Sequence, residues 1–266
     1  MKKGTEIFSL QGKTALITGA TGYLGSSMAY ALAEAGAHVL INSRSMARSE
    51  VLVRNLIKEN LSASKAVFDV TAQGEIENFF SSIKNKALHI LINNAYASGA
   101  GSIEHSTSSS YRESYEVTLI AAHNLLKEAL PNLRRAVQEF GDASVINIAS
   151  MYAIVSPDQR IYDTAQSANP PFYGAAKAAL VQWTRYAACE FGQEGIRVNS
   201  ISPGPFPSEA IQKSDQNFIE TLGKKIPIGR IGFSNEIKGP TLFLASSASS
   251  YVNGMNLIVD GGWTCW

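Results

Sequence analysis

Short, nearly uninterrupted apolar runs recur along this chain, each followed by a longer segment with helical spacing. They are TALITG from Thr14, HVLINS from His38, KAVFDV from Lys65, LHILIN from Leu88, SVINIAS from Ser144, IRVNSIS from Ile196 and NLIVDG from Asn256. A strand with one wet face alternates apolar and polar residues, whereas a strand covered on both faces is apolar almost throughout. The intervening helical segments are 26–35, 46–59, 74–84, 111–137 and 173–190. Pro131 is expected to end or kink the fourth of these. Strands covered on both faces and separated by helices specify an α/β fold, a Rossmann-type doubly wound parallel β-sheet with helices on both faces. No linker-like stretch divides the 266 residues, so residues 1–266 read as a single domain.

Composition removes several function classes. A formal net charge of +1, without a basic tail or stripe, gives nucleic acid nothing to hold. The four histidines, at 38, 89, 105 and 123, lack metal-ligand spacing, so no metal site is expected. The two cysteines, Cys189 and Cys265, are far apart, which suits a reducing, cytoplasmic location. The start MKKGTEIFSL is basic but leads into no apolar run, so it does not read as a signal peptide. Every long apolar stretch is broken by Gly, Ser or charge, so no membrane span is expected. There is no GxSxG elbow to suggest a hydrolase.

Three segments, 97–110, 151–171 and 203–226, read as long loops or lids after the fourth, fifth and sixth strands. They therefore belong at the carboxyl edge of the sheet, where open α/β sheets bind ligands. At that edge the first strand runs into TGATGYLG, residues 18–25, and then into a helix. Glycines in such a turn let backbone approach a pyrophosphate resting on the helix N-terminus, although a plain tight turn has the same composition. Gly19, Thr21, Gly22, Tyr23, Leu24 and Gly25 are the residues expected there. The second strand ends in INSRS, with Ser43 and Arg44 where an acid would bind the ribose hydroxyls of NAD. A guanidinium pairs with a 2′-phosphate, so NADP(H) is the preferred cofactor and NAD(H) the alternative. Arg44 also reads as an ordinary solvated residue at a helix start.

The segment YGAAK places Tyr173 and Lys177 four residues apart, on one helix face. Of ten tyrosines, only Tyr173 has a lysine at that spacing. TGATGYLG, NNA at 93–95, Ser150 after the fifth strand, YGAAK, SPG at 202–204 and VDGG at 259–262 occur in order along the chain. With these motifs the sequence resembles the single-domain short-chain dehydrogenases/reductases from about Leu10 onward. The resemblance implies NAD(P)-dependent hydride transfer between nicotinamide and a ketone or secondary alcohol. It implies that Tyr173 is the general acid/base and that Lys177 binds the nicotinamide ribose and lowers the tyrosine's pKa. A nearby cation does favour a phenolate, whose ordinary pKa is about 10. Ser150 would hydrogen-bond the reacting oxygen. Asn93, Asn94 and Ala95 would line the cofactor, Asp69 and Val70 would hold the adenine, and Pro203 and Gly204 would face the nicotinamide. Asp69 reads equally as a helix N-cap. Homo-oligomers, tetramers or dimers, are the family's usual assembly.

The pattern has departures. Tyr23 stands where a middle glycine often lies, and NNAG reads NNAY, with Tyr96 near the entrance. The family's helix asparagine, which helps hold a relay water, is Thr118 here. Twenty-three positions separate Ser150 from Tyr173, a longer interval than the family's usual one. The insertion carries Asp158, Arg160, Tyr162, Asp163 and Gln166. Both its ends are catalytic, so it is expected over the pocket, where its polarity suits a hydroxyl-rich or anionic, sugar-like substrate. An exposed loop or a subunit contact is the other reading. The insertion and the ending DGGWTCW resemble gluconate 5-dehydrogenase-like and surface-sugar biosynthesis members. Two rival functions stay open: a 3-oxoacyl-thioester reductase, favoured by an apolar channel beside the 203–226 lid, and an NADP-binding regulator without turnover, encouraged only by Thr118.

Overall fold

The computed structural model describes residues 4–97 and 99–266. Residues 1–3, in the basic N-terminal stretch, and residue 98, in the expected 97–110 loop, lie outside that description. Among the described residues seven strands form one wholly parallel sheet in the order β3-β2-β1-β4-β5-β6-β7. They are β1 (Thr14–Ile17), β2 (His38–Ser43), β3 (Ala63–Val67), β4 (Ile90–Asn93), β5 (Ala143–Ile148), β6 (Ile196–Pro203) and β7 (Asn256–Val259). This is the expected doubly wound Rossmann-type α/β fold. Strand order reverses beside β1, which pairs Ala15 with Val39 of β2 on one side and with Ile90 of β4 on the other.

The helices are α1 (Tyr23–Glu34), α2 (Met46–Lys58), α3 (Gln73–Ser82), α4 (Ser108–Tyr115), α5 (Ala121–Phe140), α6 (Pro171–Phe191), α7 (Glu209–Ser214), α8 (Gln216–Lys225) and α9 (Lys238–Ala245). Because side chains alternate across a strand, each run feeds two cores. Ala15 and Ile17 pack with Met28 and Leu32 of α1, Leu52 and Leu56 of α2, and Leu244 of α9. Leu16 points the other way, into a core with Ile76 and Phe80 of α3, Leu125 and Leu133 of α5, and Ala187 of α6. Both faces of the central strands are therefore dry, which is why these carry no polar alternation, while the edge strands β3 and β7 stay partly exposed. None of the described helices is long and apolar enough to cross a membrane.

Four sequence expectations are corrected. The third strand ends at Val67, not Val70, because its partner at this edge of the sheet, β2, ends at Ser43, which pairs with Val67. Pro131 does not end its helix: α5 runs to Phe140. The proline is on the exposed face, where a freed carbonyl meets water, and Leu125, Ala129, Leu133 and Ala136 stay buried on the other face. Burial at about 1.5–3 kcal/mol per large side chain outweighs the roughly 3 kcal/mol cost of an interior proline. The same helical region contains one π turn, Glu116–Ile120, between α4 and α5. Finally, 203–226 is no simple loop: β6 reaches Pro203, and α7 and α8 follow.

Candidate active site

The glycine turn occupies the gap between β1 and α1. Helix α1 opens at Tyr23, earlier than the spacing suggested, so Tyr23, Leu24 and Gly25 form its first turn. Gly19 has φ +60°, the left-handed region. A Cβ on Gly25 would sit 2.5 Å from the Gly19 carbonyl oxygen and 2.9 Å from Ala20 Cα, so turn and helix meet backbone to backbone. Side chains pin the turn from behind. Asn94 Nδ2 donates to the carbonyls of Thr18 at 2.9 Å and Gly19 at 3.1 Å. Thr18 Oγ1 accepts from the backbone N–H of Asn94 and of Ala95. Asn42 Oδ1 accepts from Gly19 N at 3.3 Å. Asn42 was missed because a polar residue inside an apolar strand carries no periodic signal. The turn's carbonyls are thus spent, while the first N–H groups of α1 have no acceptor within the helix, as at any helix N-terminus. That is the electrostatic seat for an anion.

At one end of this seat lie Ser43 and Arg44. Thr21 Oγ1 donates to Ser43 Oγ at 3.4 Å. The largely exposed Arg44 guanidinium stands 3.8 Å from Asp69 Oδ2. Ser45 caps α2 by accepting from Arg48 N, and Arg48 lines the same cleft, a second cation that the sequence reading missed. Its signal was available: a serine cap followed three residues later by arginine. Asp69 does not cap α3, whose N-cap is Ala72. Its carboxylate instead accepts from the N–H and hydroxyl of Thr71, two residues on, because the strand ends early and leaves a turn to close.

At the other end are Ser150, Tyr173 and Lys177. Tyr173 lies in the first turn of α6, which Pro170 and Pro171 start cleanly, and Lys177 follows one turn later. Lys177 is buried, and its Nζ donates to the Ile148 carbonyl at 2.6 Å. It stands 5.7 Å from the Tyr173 ring centre. Burial pushes its pKa down to about 7. Burial also pushes the Tyr173 phenol up to about 12, against a hydrogen bond with Ser150 that pulls it down. In the protein alone the Lys177 amine is turned to the Ile148 carbonyl, and burial, set against the Ser150 hydrogen bond, governs the phenol's shift. Ser150 is buried, follows β5 by two residues and accepts from Tyr152 N, capping the 3-10 turn Met151–Ala153.

One cleft of about 1250 Å³ joins these parts. Gly19, Thr21, Gly22, Tyr23, Leu24, Gly25, Ser43, Arg44, Asp69, Val70, Asn94, Ala95, Ser150, Tyr173, Lys177, Pro203 and Gly204 all line it. Asn93 and Thr118 do not. They border a small enclosed void behind Lys177. Asn93 faces into the protein because its amide donates to Asn147 Oδ1 at 2.8 Å, and Asn147 in turn donates to Thr184 Oγ1. Thr118 is buried on the π turn.

The insertion is also corrected. From it Asn169 and Pro170 line the cleft, whereas Asp158, Arg160, Tyr162, Asp163 and Gln166 do not. It folds instead as three short 3-10 turns packed on α8 and the C-terminal segment. Met151 and Ile161 share an apolar cluster with Leu222, Ile226 and Trp263, and Tyr162 packs on Phe218. Asp158 pairs with Arg160 and Lys225, which holds its carboxylate well below the usual range. The apolar residues between the polar ones, Ile161 above all, decide which way the segment faces.

The cleft fits a dinucleotide. It has backbone N–H groups at the α1 N-terminus, cations at one end and a phenol–amine pair at the other. A family model described as Enoyl-(Acyl carrier protein) reductase matches residues 19–264. Gluconate 5-dehydrogenase of Gluconobacter oxydans (strain 621H) is 32% identical over 263 residues, 97% of each chain. The 3-oxoacyl-acyl-carrier-protein reductase of rhamnolipids biosynthesis from Pseudomonas aeruginosa is 31% identical over 96% of this chain and 97% of that protein. Among solved structures, gluconate 5-dehydrogenase from Burkholderia cenocepacia J2315, in complex with NADP and tartrate, superimposes with a TM-score of 0.87. It is 30% identical over 99% of this chain and 100% of that one. Agreement in sequence along nearly the whole length, on a shared fold, means that the chain belongs to the short-chain dehydrogenase/reductase family.

Proposed function

We propose that the chain is an NADP(H)-dependent oxidoreductase that interconverts a ketone and a secondary alcohol on a polar, sugar-acid-like substrate. The carrying observation is that Ser150, Tyr173 and Lys177 share one cleft with the α1 N-terminus and Arg44. Gly22, Tyr23 and Leu24 would hold the pyrophosphate, Arg44 and Arg48 the 2′-phosphate, and Pro203 and Gly204 would border the nicotinamide. Bound there, the nicotinamide supplies or accepts the hydride. Tyr173 gives its proton to the carbonyl oxygen in reduction and recovers it in oxidation. Ser150 hydrogen-bonds that oxygen as its charge changes. Lys177 would bind the nicotinamide ribose and place its cation beside the phenol. NAD(H) remains the alternative cofactor, and the chain assembles with copies of itself in the cytoplasm.

Support for the sugar-acid reading comes from the gluconate 5-dehydrogenases and from Asn169 and Ser208 in the cleft wall. One observation favours a second reading. The lid contributes Phe206, Pro207 and Ile211, an apolar strip that suits an acyl chain, as in a 3-oxoacyl-thioester reductase. NADPH and NADH oxidation by the purified protein should be measured against keto-sugar acids, keto-sugars, sugar phosphates and acetoacetyl thioesters. Turnover of a keto-sugar acid with NADPH is expected. Turnover of the thioester alone would replace the first reading with the second. NADPH binding without turnover on a wide panel would favour a regulator.

A further inference from the structure

Tyr23 has a contact that its place in the glycine turn does not require. Its hydroxyl accepts from Gln212 Nε2 on α7 at 3.1 Å and from Ser234 N at 3.3 Å. The same Gln212 amide nitrogen donates to the Pro207 carbonyl at 2.8 Å, so one side chain ties the base of the lid to the phosphate turn. The contact spans 189 residues of sequence, and through the Pro207 carbonyl it joins two residues that line the cleft, Tyr23 and Pro207, while Gln212 itself lines a separate surface pocket with Tyr23 and Ser234. The far half of the lid is held differently. Helix α8 is fixed to the insertion by Lys225 on Asp158, by Phe218 against Tyr162 and by Leu222 in the apolar cluster. Helix α7 buries none of its residues. The Tyr23 and Pro207 bonds are its side-chain hydrogen bonds toward the cleft, beside a solvent-side bond from Gln216.

We propose that Tyr23 is a positioning residue that couples the cofactor's phosphate seat to the lid segment 206–214. Its backbone is in the first turn of α1, where a pyrophosphate is held, and its hydroxyl holds Gln212. Cofactor binding fixes the first and thereby orders the second. By reciprocity, a lid held closed over substrate retains the cofactor. Helix α8 stays anchored by the insertion, so the ordering is confined to α7 and the strip Phe206–Ser208. This assigns the insertion a role as an anchor for the lid rather than a wall of the pocket. The inference rests on the cofactor part of the proposed function and not on the substrate.

Limited trypsinolysis tests it with NADPH as the sole ligand, reading cleavage after Lys213 on α7 by mass spectrometry. Lys213 is exposed, and its ion pair to Glu209 at 3.9 Å is solvated. Saturating NADPH is expected to slow that cut several-fold in the wild-type protein. In Tyr23→Phe the protection, compared at equal NADPH occupancy set by fluorescence titration, should fall by roughly two- to tenfold, the scale of one hydrogen bond. Gln212→Leu should reproduce the loss from the lid side, and the double variant should lose no more than either single one. If Tyr23→Phe does not bind NADPH, Gln212→Leu decides. Full NADPH-dependent protection in Gln212→Leu, or none in the wild type, overturns the coupling.

Discussion

Tyr173 and Lys177 are both perturbed by burial, in opposite directions, and this sets what each does in the protein alone. With its pKa pushed up to about 12, the phenol holds its proton at neutral pH, as a proton donor to a carbonyl must. Tyr173→Phe is expected to lower kcat by roughly 10²–10⁴-fold, the usual contribution of a positioned acid. NADPH binding, followed by fluorescence, should survive. Lys177 titrates near about 7 when folded and near 10.5 when unfolded. Between those values the unfolded chain binds a proton that the folded one does not, so stability falls as pH drops from 10.5 to 7 and levels off below. Lys177→Met removes that penalty. The apoprotein variant should melt higher than wild type at pH 7, and the gap should close toward pH 10. It should also lose turnover.

Among the elements, the junction of β2 and α2 decides the cofactor. Arg44 leaves the strand and Arg48 lies in the first turn of α2, so the two guanidinium groups border one end of the cleft. Arg44→Glu is expected to raise the KM for NADPH by roughly ten- to a hundredfold, the scale of a charge-assisted bond, and to leave or lower that for NADH. Steady-state kinetics with both cofactors would read it. Helix α5 carries the other element-scale test. Pro131 is exposed, and its ring deletes one helical bond. Pro131→Ala should stabilise the protein by about 1–2 kcal/mol, because the interior-proline cost exceeds the stiffening that proline gives the unfolded chain. The midpoint of urea unfolding should rise with no change in slope.

At the scale of the molecule, the cleft gathers residues from the glycine turn, the ends of β2, β4, β5 and β6, and the start of α6. A ligand that bridges them binds only the folded chain. NADPH at a hundred times its Kd should therefore add about 2.7 kcal/mol of stability. A thermal melt should show the increase, and it should be smaller for NADH at the same concentration. Much of this was legible beforehand. The seven strands and the sheet type follow from apolar runs, and the glycine turn, Ser43, Arg44, Tyr173 and Lys177 from motif spacing, because those signals are local; many other cleft residues, among them Arg112, Glu113 and Phe206, carried no such signal. Arg48 was also within reach, as the third residue after a serine cap. The facing of the insertion was not: Asp158 and Tyr162 suggested a wet pocket wall, but Ile161 and Met151 needed an apolar partner and found it on α8.

The sequence by itself determined the doubly wound sheet, the placement of the glycine turn at its carboxyl edge and the pairing of Tyr173 with Lys177 on one helix face. These depend on periodicity and on spacings of a few residues, which the backbone converts directly into geometry. Tertiary structure alone decided that Asn93 turns away from the cleft toward Asn147, that Thr118 lies on a π turn, and that the Tyr23 hydroxyl reaches Gln212 of α7. It also decided that burial outweighs the Ser150 hydrogen bond at Tyr173. Each of these depends on groups far apart in the chain. Which partner a polar side chain takes is settled by what packing brings within hydrogen-bond reach, and no local pattern records that.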